Sequence, residues 1–358
     1  MSLFDRDKSG ERIPVSLITG FLGSGKTTLL NRLLRHPAMA DSAVIINEFG
    51  EVGLDHLLVE AVEGEVAVLA SGCICCTMRS DLEETLRGLL ARRDRGEVPP
   101  FRRVLVETTG LADPAPIVQL LLHNPLLSHF VRLDAIVTTV DAVHGELQLD
   151  AHAEAVKQVA IADRLLLTKT DIADTEAIAP LRARLARLNP AAAVTTVHYG
   201  DIVPDRLFGA ALFDPERKSA DVRRWLNAEA YSGHDHAHDH AHHHEHAAAP
   251  HDPGINAFCL TFEQPLDWMT VSGWLAELRA LRGQHLLRVK GILNLAGENA
   301  PVAIHGVHHV FHPPVLLNAW TDEDRRSRIV FITRDLARAD VEASWRHYCA
   351  ATEGQLAV

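Results

Sequence analysis

Little in this chain of 358 residues suits a membrane, a secretory route or a nucleic acid. No apolar run approaches the roughly 18 residues that a membrane span needs. The segment from Met1 to Arg12 is polar and charged, without the apolar stretch of a signal peptide, so a cytoplasmic protein is expected. The net charge is −12 and no basic patch with interleaved aromatics offsets it, which disfavours nucleic acid as a partner. Only five cysteines are present, an odd number that argues against a disulfide framework. Cys259 falls in the apolar run Phe258-Cys259-Leu260 and reads as a buried, inert thiol. Cys349 carries no signal.

The hydrophobic fraction of 47% is ample for a sizeable core, and the length suggests about two domains. Over the first 200 residues or so, short apolar runs alternate with helix-like segments. Val15–Thr19, Ala43–Asn47, Val104–Glu107, Ala135–Val140, Leu165–Thr168 and Val194–Val197 read as strands. Lys26–Arg35, Leu82–Arg92, Pro114–Leu122, Ala151–Ala160 and Glu176–Leu188 read as helices. Several strands are apolar throughout, which suits a parallel sheet covered on both faces. The predicted fold class is α/β: a mostly parallel, doubly wound sheet in a domain over residues 1–213. Residues 214–254 are polar and histidine-rich and read as a flexible linker or loop. A smaller α+β domain is expected over 255–350.

Gly20-Phe-Leu-Gly23-Ser24-Gly25-Lys26-Thr27 matches G-x-x-x-x-G-K-[ST] between a predicted strand and a predicted helix, the context the phosphate-binding loop requires. Its glycines let backbone N–H groups wrap a phosphate at a helix N-terminus. Lys26 is expected to reach the β- and γ-phosphates, Thr27 to ligate Mg²⁺, and Thr28 to complete the loop. Thr168-Lys169-Thr170-Asp171 follows a later apolar strand. There the Asp171 carboxylate can accept from guanine N1–H and the N2 amine, donors that adenine lacks on that edge, so GTP is expected over ATP. Glu107-Thr108-Thr109-Gly110 closes another strand; Glu107 can hold Mg²⁺ directly or through water, and the Gly110 N–H can report the γ-phosphate. Asn47-Glu48-Phe-Gly-Glu51-Val-Gly-Leu-Asp55 looks like a switch segment in which Glu48, Glu51 or Asp55 positions water or touches a metal. Lys26, Glu48 and Glu107 are thus the candidate catalytic residues. No glutamine or arginine finger is identifiable, so slow intrinsic hydrolysis is expected.

Two further constellations point to transition metals. Cys73, Cys75 and Cys76 lie within four residues and form a soft ligand set suited to Zn²⁺, Co²⁺ or Cu⁺ rather than Mg²⁺. In extended backbone Cys76 faces away from Cys73 and Cys75, so the segment bends around one metal or another donor joins, with Glu48, Glu51 and His123 as options. The run His234, His236, His238, His240, His242, His243, His244 and His246, with His251 beyond, offers neutral imidazoles suited to loose, fast-exchanging metal capture. His305, His308, His309 and His312 fall on predicted strands, where packing and metal binding are equally reasonable.

Taken together, Gly20–Thr28, Asn47–Glu51, Gly72–Cys76, Glu107–Pro114, Val140-Asp-Ala-Val-His144 and Thr168–Asp171 resemble, in order, the CobW-type metal-chaperone GTPases. Leu287–Leu293 and Arg325–Ile332 resemble that family's C-terminal domain, so the likeness runs from about residue 12 to about residue 350. The resemblance implies Mg²⁺–GTP binding, a transition metal at the cysteines (zinc first, then cobalt) and delivery to a client metalloprotein. The alternatives are a metal buffer built on the histidine run and an activator that remodels its client. The resemblance leaves the client's identity and a homo-oligomeric state open.

Overall fold

The computed structural model describes residues 12–47, 66–69, 77–209, 254–317, 319–320 and 323–356. Strands β1 (Ile13–Gly20), β2 (Ser42–Asn47), β3 (Val66–Leu69), β4 (Arg103–Glu107), β5 (Val131–Asp141), β6 (Arg164–Thr168) and β7 (Ala193–Thr196) form one seven-stranded sheet. Its order is β3-β2-β4-β1-β5-β6-β7, and every pairing is parallel. The apolar strands account for this: β1 buries Leu17 on one face and Ile18 on the other, both at 0% exposure. Helices α1 (Lys26–Leu34), α2 (Thr77–Asp94), α3 (Ala115–His123), α4 (Leu127–Phe130), α5 (Gly145–Ala151), α6 (Ala153–Ile161) and α7 (Thr175–Leu188) cover the two faces. Leu29, Leu30 and Leu33 of α1 pack with Ile18, Val44, Ile46 and Val137. On the opposite face, Leu82 and Leu86 of α2 and Ile117 and Leu120 of α3 pack with Leu17, Ile45 and Val106. Each such fully buried side chain stabilises the fold by about 1.5–3 kcal/mol.

The strand order reverses beside β1. Strands β4, β2 and β3 lie to one side and β5, β6 and β7 to the other, so the carboxyl ends of β1, β4, β5 and β6 open on one crevice, where doubly wound sheets bind ligands. The β1–β4 register pairs Ile18 with Glu107 and so brings Glu107 beside the loop that follows Gly20.

β8 (Ile255–Phe262), β9 (Leu286–Leu293), β10 (Val302–Val307), β11 (Val310–Phe311), β12 (Val315–Leu316) and β13 (Ser327–Arg334) build a separate antiparallel sheet, with α8 (Trp268–Arg282) and α9 (Arg338–Leu356). β13 sits between β8 and β9, so β8-α8-β9 is a split β-α-β unit. One face of this sheet packs on its helices around Trp274, which is 1% exposed, donates from its indole N–H to Ser344 Oγ at 2.9 Å and meets Trp345 edge-on at 5.0 Å between centroids. The other face, with Ala257, Cys259, Ala303, Val330 and Ile332, packs against the first sheet's layer through Ala160 of α6. Cys259 is the buried thiol expected, and burial pushes its pKa up to about 11.

The seam between the two sheets carries a buried ionic knot. Asp163, just beyond α6, takes both Arg288 and Lys290 of β9 on its Oδ1, with Lys290 Nζ at 2.8 Å, while its Oδ2 accepts the Ile136 N–H at 3.0 Å. Arg288 also donates to the Ile161 carbonyl. Burial opposes ionisation of Asp163, but Arg288 and Lys290 outweigh it and hold its pKa below the ordinary carboxylate value.

The structure has the expected α/β architecture and differs from the sequence reading in detail. The helix expected over Ala151–Ala160 is α6, whereas α5 before it was not expected; between the two, His152 adopts extended backbone (φ −131°, ψ 112°) and its ring stacks on Phe21 at 4.4 Å. β3, at the sheet edge, was not expected. His308 and His309 form the turn after β10 rather than part of a strand. Among the described residues no helix is long and apolar enough to cross a membrane.

Candidate functional site

The loop after β1 takes its shape from residues that only glycine tolerates. Gly20 has φ +138°, and a Cβ there would lie 2.4 Å from the Thr139 carbonyl oxygen; Gly23 and Gly25 have φ +73° and +94°. Ser24 closes the turn through its N–H to the Phe21 carbonyl at 3.1 Å, and its hydroxyl meets that of Thr139 at 2.7 Å. Lys26 opens α1 and curls over the loop, donating to the carbonyls of Gly20 and Phe21 at 3.0 and 3.1 Å. No acidic residue of α1 itself lies in its first turn, so the helix contributes no carboxylate of its own against an anion there.

Thr27 and Glu107 meet at the mouth of this loop, the hydroxyl donating to Glu107 Oε1 at 3.0 Å. Glu107 is 4% exposed, and the following Thr108 is tied to β1 by its hydroxyl on Thr19 Oγ1 at 2.8 Å. The two oxygens form a hard donor pair suited to Mg²⁺ rather than to a soft metal. Gly110 rests on the phosphate loop itself: a Cβ at this position would lie 2.6 Å from the Leu22 nitrogen. The Thr109 hydroxyl is buried without a hydrogen-bond partner among the described residues, a polar atom left over in the loop beside the phosphate cradle.

At the end of β6 the Thr168 hydroxyl donates to the carbonyls of Ser24 (2.8 Å) and Val140 (3.1 Å), which ties the predicted base-binding loop to the phosphate loop. Lys169 adopts a left-handed φ of +57° and bonds through Nζ to Asp141 Oδ2 at 2.7 Å. Asp141 is buried and its Oδ1 accepts the Val143 N–H at 2.8 Å. Asp171 is exposed, and its carboxylate accepts the Tyr199 hydroxyl, which raises the phenol pKa. Tyr199 is itself left-handed (φ +50°), and the adjoining Gly200 is pressed against α1, with the Thr28 carbonyl oxygen 2.9 Å from where its Cβ would be.

The structure therefore gathers Gly20, Gly23, Ser24, Gly25, Lys26, Thr27, Thr28, Glu107, Gly110, Thr168, Lys169 and Asp171 along one crevice. Asp141, Gln158 and Tyr199 belong to the same neighbourhood and were not singled out from the sequence. The only signal for Asp141 was its place in the Val140–His144 motif; Tyr199 and Gln158 had none. Glu48, Cys73, Cys75, Cys76 and the histidines from His234 to His246 lie outside the described residues. Among the described residues no group of three metal-ligating side chains converges. His305 and His312 are buried and stack at 4.6 Å with planes 9° apart, which sets their lone pairs side by side rather than on a common point.

Comparison with known proteins agrees with this geometry. Residues 14–196 match the family model described as CobW/HypB/UreG, nucleotide-binding domain, and residues 255–349 match that of the cobalamin synthesis protein cobW C-terminal domain. The chain is 35% identical to the zinc chaperone YjiA of Escherichia coli over 333 residues, 93% of this chain and 98% of that protein. It is 32% identical to the zinc chaperone CobW of Pseudomonas aeruginosa, covering 93% of this chain and 91% of the relative. It is 30% identical to the zinc-regulated GTPase metalloprotein activator 1 of Saccharomyces cerevisiae, covering 93% and 82%. The crystal structure of Zn(II)-bound YjiA GTPase from E. coli superposes with a TM-score of 0.69 at 32% identity, over 94% of this chain and 99% of that one. With its phosphate loop, its Thr27–Glu107 pair and its second antiparallel domain all in place, the chain belongs to the CobW family of P-loop GTPases.

Proposed function

We propose that this chain is a GTP-dependent zinc metallochaperone that loads a client metalloprotein. The observation that carries the nucleotide half is the placing of Lys26, the Thr27–Glu107 pair and Asp171 at or beyond the carboxyl ends of β1, β4 and β6. The backbone from Gly20 to Thr28 cradles the phosphates, and Lys26 leaves the loop carbonyls for the β- and γ-phosphate oxygens. Thr27 and Glu107 would hold Mg²⁺, which supplies charge neutralisation at the phosphates when bound. Asp171 releases Tyr199 and accepts from guanine N1–H and N2–H, while Thr168 and Lys169 keep its loop in register with the phosphate loop. Water attacks the γ-phosphorus, the bond to the β-phosphate oxygen breaks, and GDP and phosphate leave. Glu48, Glu51 or Asp55 of the switch segment positions that water, with Glu48 the candidate taken first, and Gly110 senses the γ-phosphate.

The metal half rests on Cys73, Cys75 and Cys76 and on the relatives named zinc chaperones. In sequence the cysteines fall between Leu69, the end of β3, and Thr77, the start of α2; β3 is parallel to β2, so it ends on the same carboxyl-terminal side of the sheet as the strand β1 that precedes the phosphate loop. GTP favours a complete metal site and hydrolysis loosens it for transfer, a coupling that must be reciprocal. The histidines from His234 to His246 serve as a loose reservoir that feeds it. Cobalt is the second metal that this ligand set accepts.

Titration with Zn²⁺ against a competing chelator tests the reading. Affinity should be higher with a non-hydrolysable GTP analogue than with GDP, and equal affinities would reject gating. Deleting residues 234–251 should leave one tight, GTP-dependent site; loss of most zinc capacity would instead favour a metal buffer.

A further inference from the structure

Helix α6 belongs to neither the loop from Gly110 to Asp113 nor the second domain, yet it holds both. Gln158 is 1% exposed and donates from Nε2 to the carbonyls of Gly110 (3.2 Å) and Ala112 (3.0 Å). Its main-chain carbonyl accepts the Thr138 hydroxyl of β5 at 2.9 Å. The preceding Lys157 bonds to Asp113 Oδ2 at 2.9 Å, and Asp113 Oδ1 accepts the Ala115 N–H at the start of α3. One turn of α6 thus grips the loop from Gly110 to Asp113 at three points. Where the helix ends, the Ile161 carbonyl and Asp163 take Arg288 and Lys290 of the second domain. Buried His308, in the turn after β10, lies within electrostatic reach of Asp113 and Lys157.

We infer that Gln158 and Lys157 are positioning residues for the γ-phosphate sensor, and that α6 links the setting of that loop to the docking of the second domain. The inference rests on the GTPase reading of the site. It follows from geometry: a Cβ at Gly110 would lie 2.6 Å from the Leu22 nitrogen, so the sensor cannot move toward the phosphate loop and must slide along it or withdraw. A buried amide holding two of its carbonyls sets where it slides. Buried donors of this kind are costly to leave without acceptors, so the loop keeps few alternative settings.

The test compares GDP with a non-hydrolysable GTP analogue, because only the analogue reaches the sensor. Gln158→Leu should leave GDP affinity within about twofold and weaken the analogue by about 5- to 20-fold, the span of a modest coupling. Lys157→Met, at a partly exposed position that tolerates change, should shift the same ratio less. Lys290→Met, across the seam, should also move it, and combined with Gln158→Leu should give less than the product of the two effects. An unchanged GTP:GDP ratio in both α6 variants, or independent effects across the seam, would overturn the inference. Hydrogen exchange in the nucleotide-free protein separates this from the functional reading. Gln158→Leu should speed exchange over residues 108–113, and unchanged protection there overturns the positioning role whether or not GTP binds. A wild-type chain without preference for guanine nucleotides would reject the GTPase reading alone.

Discussion

The Thr27 hydroxyl donates to Glu107 Oε1 across 3.0 Å, joining the first turn of α1 to the end of β4. The partners are 80 residues apart in sequence and meet because β1 and β4 are hydrogen-bonded neighbours. Two oxygen donors so placed make a Mg²⁺ requirement specific and testable. Thr27→Ala and Glu107→Gln should each lower Mg²⁺-supported phosphate release by about 10- to 100-fold, and Thr27→Ser should restore it. Nucleotide binding in the absence of Mg²⁺ should change little. A Mg²⁺ titration of hydrolysis with an unaltered midpoint in both variants would reject this role.

Asp171 predicts a change of base preference. A carboxylate that accepts two N–H donors from guanine has no equivalent use for adenine. Asp171→Asn should therefore weaken GTP by about 100-fold or more, since the introduced amide sets a donor against the guanine N–H edge. Xanthosine triphosphate, which carries a carbonyl where guanine has its amine, should bind the variant better than GTP does. Competition between the two triphosphates for the variant is the measurement, and retained GTP preference would place the base elsewhere.

The parts of this site that the sequence makes legible are those whose chemistry is local. Gly20, Gly23 and Gly25 announce left-handed or crowded backbone, and their φ values agree. Uninterrupted apolar strands announce a parallel sheet, which is what Leu17 and Ile18 build on either face of β1. Pairings over long distances are silent. Nothing near Lys169 in the chain says that Asp141, 28 residues earlier, pairs with it, and nothing near Gly110 and Ala112 says that Gln158, 48 and 46 residues after them, grips their carbonyls. Helix α5 is equally hidden: it is seven residues long and stops at the extended His152, whose ring stacks on Phe21 from another part of the chain. The short edge strand β3 escapes notice because four residues carry too little periodicity.

The ionic knot at the domain seam predicts a large effect from a small change. Asp163 is the carboxylate that Arg288 and Lys290 share, and all three side chains are buried. Asp163→Ala would remove the carboxylate that two buried cations share and leave the Ile136 N–H without its acceptor. Removing one member of such a buried pair costs about 3–5 kcal/mol. Urea unfolding of the nucleotide-free and metal-free protein should show this as a fall in midpoint. Lys290→Met, which leaves the Arg288–Asp163 pair, should cost markedly less. Equal losses in the two variants would mean that the seam is held by its apolar contacts instead.

The same seam sets an acid limit on the fold. Burial, with Arg288 nearby, pushes the His312 pKa down to about 3 and holds His305 well below its ordinary value. Neither ring nitrogen of His305 has a hydrogen-bond partner among the described residues, so nothing there favours the charged form. In the unfolded chain both rings take a proton near pH 6.5. The depressed folded values mean that stability is fully present above about pH 6.5 and is lost as pH falls below it toward the folded pKa, because only the unfolded state binds the protons. At pH 5.5 the loss should already be measurable, on the order of 1 kcal/mol from His312 alone, with His305 adding to it in the same direction. Asp163 adds to the loss only further down, below the ordinary carboxylate range, since its own folded pKa is lowered. Urea midpoints measured between pH 7.5 and about 5 should therefore decline in the wild type, and the decline should be shallower in His305→Phe, whose ring can still stack on His312. The comparison rests on the slope, so a lower midpoint at neutral pH in the variant does not obscure it. Parallel profiles would show that His305 is protonated equally in both states and is not the buried neutral ring that its surroundings require.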